Sequence, residues 1–170
     1  LTTAMHEPER FRSPEYLAVI EQKDSSDRLQ IPDACLRQMR QEAERGYPHE
    51  ICGLLTGTMN ASGWLVCDVR PVANLNHERA ADRFELDPAG YQAIDRELRG
   101  SGTEIIGVYH SHPDCPPRPS PTDLGSAWEG FAYPIISVYQ GKSHDVRCWT
   151  INEEHSRFAA VEIVEHTAHE

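Results

Sequence analysis

His110 and His112 stand one residue apart at the end of the apolar stretch "TEIIGVYH", and Ser120 and Asp123 follow across the proline-rich connection "PDCPPRP". In an extended chain residues two apart point the same way, so the two imidazoles share one face and Ser111 takes the other. Two imidazoles on one side of a strand end suit a first-row metal. Pro113, Pro116, Pro117, Pro119 and Pro121 restrict the connection and lower the entropy lost in holding it still. Ser120 is a natural N-cap with Pro121 at the first helical position, and Asp123 falls where the positive helix end favours a carboxylate. Asp123 then has two readings. It could fold back as an oxygen ligand, leaving a fourth tetrahedral position open, the feature that separates a catalytic zinc site from a closed structural one. Alternatively, S-x-x-D before an apolar stretch is a capping box and nothing more.

These groups need elements to position them. Residues 31–46 carry Leu36, Met39 and Ala43 at helical spacing before Gly46, and residues 87–100 carry Tyr91, Ile94 and Leu98 between Asp87-Pro88 and Gly100. A third helix is expected over 120–130. Strands are expected over 50–57, 63–74, 81–87, 103–110, 133–141, 146–152 and 157–165, from short apolar or alternating runs bounded by turn residues. Helices interspersed among these strands predict an α/β sandwich, a mixed β-sheet flanked by about three helices. Residues 1–27 read as an N-terminal extension that adds an edge strand through "YLAVI" or stays mobile, 28–165 as the domain, and 166–170 as a polar tail.

The 170 residues fit one domain, and a formal charge of −11 with pI near 5.2 excludes the basic footprint of a nucleic-acid binder or of an anionic membrane surface. No apolar run approaches the roughly 20 residues of a membrane-crossing helix. No signal-peptide pattern opens the chain. Five cysteines at 35, 52, 67, 115 and 148 include no C-x-x-C pair, so a disulfide framework or a four-cysteine zinc site is not expected and reduced cytoplasm is.

"HSHP-DCPPRP-SPTD" closely resembles the signature of the JAMM (MPN-plus) metallopeptidases, and "GYPHEICGLLTG" resembles the wording of their small single-domain prokaryotic members. The resemblance runs from about residue 29 to 165. It implies an MPN-type, cytidine-deaminase-like sandwich holding one catalytic Zn²⁺ on His110, His112 and Asp123. It also implies that Glu50 holds the metal-bound water as general base and that Ser120 hydrogen-bonds the developing oxyanion. Asn74, in "RPVAN", would lie near the substrate path or simply end a strand. The implied reaction is hydrolysis after the C-terminal Gly-Gly of a ubiquitin-like or sulfur-carrier protein, a deubiquitinase-like activity. Zinc makes chemical sense here because it brings the pKa of water down to about 7. A non-catalytic interaction scaffold is the alternative, and the complete ligand set counts against it. A zinc nucleobase deaminase would need H-x-E and P-C-x-x-C, which this chain lacks. Cys115 reads as a loop thiol, and His49, His155, His166 and His169 as solvated.

Overall fold

The computed structural model describes residues 7–167. Seven strands, β1 (Arg28–Pro32), β2 (Cys52–Asn60), β3 (Gly63–Val72), β4 (Glu104–Pro113), β5 (Tyr133–Tyr139), β6 (Lys142–Ile151) and β7 (Phe158–His166), form one mixed sheet. Four α-helices accompany them: α1 (Pro14–Leu17), α2 (Asp33–Gly46), α3 (Pro88–Leu98) and α4 (Pro121–Ser126). No helix among the described residues is long and apolar enough to cross a membrane.

The expected sandwich of a mixed sheet flanked by about three helices does not hold: the sheet closes on itself as a barrel in the order β1-β3-β2-β4-β5-β6-β7. β1 makes the closure. It runs parallel to β3 along Gly63–Leu65 on one side and parallel to β7 along Glu162–His166 on the other. The sequence pattern places Ile31 and Pro32 in the helical stretch 31–46 and assigns residues 28–30 to no element. A five-residue strand with parallel partners far along the chain leaves no local signature, because its hydrogen bonds are closed by distant segments. The strand expected over 81–87 is also absent, leaving one bridge between Asn74 and Leu86.

Most of the sheet is apolar on both faces. Consecutive residues feed opposite clusters: Leu55, Ile106, Tyr109, Ile136 and Cys148 pack with α2 through Leu36, Met39 and Ala43. Leu54, Ile105, Val108, Ile135 and Trp149 pack on the other face with Ile94 of α3. This explains why β4 is buried from Ile105 to Pro113 and reads as an uninterrupted apolar run until its histidines. The N-terminal segment is packed too. Ser13 caps α1 by accepting the Tyr16 N–H, Phe11 is buried, and Ile20 bridges to Phe158. Residues 1–6 of the expected extension and 168–170 of the expected tail, with His169, lie outside the described residues.

One core contact reaches the proline loop directly: the buried Trp149 Nε1–H donates to the Pro117 carbonyl at 2.9 Å. Trp149→Phe keeps an aromatic ring but leaves that carbonyl unpaired. It is expected to cost about 1–3 kcal/mol, read as a lower urea midpoint with unchanged slope. An unchanged midpoint would mean the loop is held without this bond.

Candidate metal centre

The paired histidines sit where β4 is clamped on both sides. His110 lies opposite Cys52 of β2 and Ile135 of β5, and His112 opposite Ser137 of β5. Both rings are buried. The His112 Nδ1–H donates to the Pro116 carbonyl at 2.9 Å, which leaves the Nε2 lone pair free. The His110 ring stacks on Phe84 with centroids 4.5 Å apart. The two Nε2 atoms stand 3.2 Å apart.

Asp123 completes a triangle with them. Its Oδ2 lies 3.5 Å from His110 Nε2 and 3.3 Å from His112 Nε2. Zinc bonds of 2.0–2.1 Å in a tetrahedron require ligand atoms about 3.3 Å apart. The capping box is present as well: Ser120 Oγ accepts the Asp123 N–H at 3.1 Å, and Asp123 Oδ2 accepts the Ser120 N–H at 2.8 Å. The two sequence readings of this residue are therefore compatible, because the cap is what aims the carboxylate at the histidines. Burial works against ionisation, but the two imidazoles hold the Asp123 carboxyl well below the usual carboxylate range.

Glu50 is only 5% exposed and faces the same point. One ligand atom each from Glu50, His110 and His112 lie within 4.8 Å of one another. Burial pushes the Glu50 carboxyl up to about 8, against the opposing pull of His112 and with further repulsion from Asp123. Glu50 Oε1 and His110 Nδ1 are buried without a hydrogen-bond partner among the described residues. Free lone pairs, an orphaned carboxylate oxygen and tetrahedral spacing fit one zinc ion.

Asn74 is committed to the backbone. Its Nδ2 donates to the carbonyls of Glu50 at 3.0 Å and Arg83 at 3.1 Å, and its Oδ1 accepts the N–H groups of Asn76 and Glu85 at 2.9 Å each. The side chain thus ties Glu50 to the loop between β3 and α3. The Cys115 Sγ accepts from Arg10 Nη2, and burial pushes its thiol up to about 11, a protonated group at neutral pH and a poor ligand.

Two cavities meet at this cluster. The larger, about 590 Å³, is lined by Phe84, Tyr91, Val108, Trp128 and Trp149 and reaches His110 and Asp123. The smaller, about 300 Å³, exposes Glu50, His112 and Ser120 and is walled by Arg10, Phe11 and Arg83. These last three escaped the sequence reading. Arg10 and Phe11 belong to a short polar stretch without periodicity, and Arg83 lies in a segment read as a strand, so no local pattern could have flagged them.

Comparison with known proteins agrees with this geometry. The model of the family described as prokaryotic homologs of the JAB domain matches residues 32–152. A desampylase of Haloferax volcanii is 37% identical over 134 residues, covering 76% of this chain and 91% of that one. A CysO-cysteine peptidase of Mycobacterium tuberculosis is 28% identical over 110 residues, covering 64% and 73%. The solution structure of a Desulfitobacterium hafniense protein superposes with a TM-score of 0.71 at 26% identity, covering 82% of this chain and 93% of that one.

The buried carboxyl makes a prediction about pH. In the metal-free protein Glu50 titrates at about 8 when folded and at 4.5 ordinarily. The folded state therefore holds more protons between those values, and stability falls as pH rises from 4.5 to 8 and then levels. Metal-free Glu50→Gln is expected to melt above the metal-free parent at about pH 8.5 and level with it at about pH 4. An equal difference at both pH values would show that the carboxyl is not perturbed.

Proposed function

The chain belongs to the prokaryotic JAB-domain family of JAMM-type zinc metallopeptidases, and from that premise we propose that it hydrolyses the amide bond after the C-terminal Gly-Gly of a ubiquitin-like or sulfur-carrier protein. The triangle of His110, His112 and Asp123 beside a buried, unpartnered Glu50 carries the reading. The names of the relatives support the substrate class, one being a desampylase and another a CysO-cysteine peptidase. On this reading the catalytic unit spans residues 28–165. A reducing compartment, the cytoplasm, suits its five free thiols.

His110, His112 and Asp123 would hold the zinc. Bound there, it supplies Lewis acidity, polarising the scissile carbonyl and making water acidic enough to attack near neutral pH. Glu50 receives the proton as water adds to the carbonyl carbon. It then delivers that proton to the leaving nitrogen as the C–N bond breaks. The buried Glu50 Oε1 has no hydrogen-bond partner among the described residues, so it is free to serve in both steps. The Ser120 Oγ accepts the Asp123 N–H, so its own proton is free to be donated to the carbonyl oxygen as charge develops there. The Pro116 carbonyl fixes the His112 tautomer. Asn74 positions Glu50 through its backbone carbonyl.

Two substitutions separate binding from chemistry. His112→Ala is expected to lose both zinc and activity. Glu50→Gln is expected to retain zinc and lose activity by about a hundredfold or more. The measurement is intact mass on a panel of ubiquitin-like and sulfur-carrier proteins extended beyond Gly-Gly, with zinc content determined in parallel. Near-normal turnover by Glu50→Gln would remove the assigned base. Failure of the zinc-loaded wild type on the whole panel would favour the scaffold alternative.

Asn74→Ala is expected to lower kcat with zinc content retained, since Glu50 loses its backbone tether. Unchanged kcat would show that the loop holds Glu50 without it.

A further inference from the structure

The smaller cavity holds more than hydrolysis requires. Arg10, Phe11 and Tyr16 face Glu50, His112 and Ser120 across it, with Arg79, Asp82 and Arg83 on another wall. The N-terminal three precede the family-matched region, which begins at residue 32. Their wall is packed in place. Phe11 is 3% exposed, meets Tyr16 edge-on, lies 6.2 Å from the His112 ring and sits under the Arg118 guanidinium. Arg118 is in turn ion-paired with Glu7.

The cations of this cavity are unevenly satisfied. Arg79 is paired with Asp82. Arg10 donates to the Cys115 sulfur and has no carboxylate partner among the described residues. Arg83 Nε is buried with no hydrogen-bond partner among them. Neither guanidinium is ion-paired with a carboxylate among the described residues, although the charge of Arg83 is felt at Glu50. Buried donors are ordinarily satisfied, so an unpaired one beside a reaction centre points to an absent acceptor.

Resting on the proposed cleavage after Gly-Gly, we infer that this cavity receives the leaving residue and that Arg10 and Arg83 hold its free α-carboxylate. The leaving nitrogen must face Glu50 to collect its proton. In an α-linked residue the carboxylate carbon is two bonds from that nitrogen, which keeps the anion inside the cavity that Arg10 and Arg83 line. Guanidinium and carboxylate form strong charge-assisted hydrogen bonds of matching geometry. A lysine side-chain amine would bring only methylenes to the same place. A volume of about 300 Å³ takes a residue or a short tail, not a folded protein. The pocket therefore favours removal of a C-terminal residue over opening of an isopeptide bond. Arg10 and Arg83 determine specificity and take no part in bond breaking.

The test uses the protein cleaved in the panel above, prepared in three forms. One ends in a single alanine acid after Gly-Gly, one in the corresponding alanine carboxamide, and one is joined through Gly-Gly to a lysine side chain in a short peptide. Steady-state kcat and KM are measured for wild type, Arg83→Gln, Arg83→Lys and Arg10→Gln, with zinc content and melting temperature for each. Wild type is expected to favour acid over carboxamide by about tenfold in kcat/KM. Both glutamine variants are expected to pull that ratio towards one, chiefly through KM, and Arg83→Lys to retain part of it. A proportional loss on all three substrates would overturn the inference, since the arginines would then act through Glu50 or the fold. Equal wild-type cleavage of acid and carboxamide would also overturn it while leaving hydrolysis after Gly-Gly intact. Cleavage of none would remove both.

Discussion

Two imidazoles and two carboxylates share the floor of the site, in surroundings where any one of them, ionised and alone, would cost several kcal/mol to bury. Their grouping makes each tolerable. Asp123 keeps its charge because His110 and His112 face it, whereas at Glu50 burial outweighs the pull of His112 and pushes the carboxyl towards the neutral acid. The same imbalance makes the cluster receptive to a cation. Much of the surrounding structure keeps these four groups from relaxing apart.

That restraint is spread over several elements. β4 is hydrogen-bonded to β2 and β5 at the level of His110, so the histidine backbone has little freedom. The proline loop is fastened twice, through Pro116 to His112 and through Pro117 to Trp149. The capping box turns Asp123 inward, and the four hydrogen bonds of Asn74 hold the Glu50 backbone. Closure of the sheet through β1 ties the ends of the domain together and leaves the site on a framework paired at both edges.

The two cavities divide the work around this cluster. The apolar one meets His110 and Asp123, and the smaller polar one meets Glu50, His112 and Ser120. A bond lying over the cluster would have an aromatic chamber on one side and a proton-handling, arginine-walled chamber on the other. The N-terminal segment contributes to the second chamber alone. His110, His112 and Asp123 themselves stand on β4 and α4.

His110, His112, Ser120 and Asp123 were legible in the sequence because they sit on one short segment whose geometry is local: strand alternation, proline restriction and a helix cap. The helices over 33–46 and 88–98 were legible for the same reason, their apolar residues recurring at helical spacing between clear stops. Glu50 became visible only through family resemblance, since nothing within its own neighbours separates it from a surface glutamate. The barrel was not legible at all. Its closure depends on β1 meeting β3 and β7, and pairings between distant segments leave almost no trace in short-range pattern. Arg10, Phe11 and Arg83 are of the same kind, brought to one cavity from opposite sides of β1 and β2 in the chain. The convergence of His110, His112, Ser120 and Asp123 follows from local pattern, because these groups lie on one stiff segment. The closed sheet, the burial that raises the Glu50 carboxyl and the arginine wall come from the fold, because each arises from residues that meet only after the chain has folded.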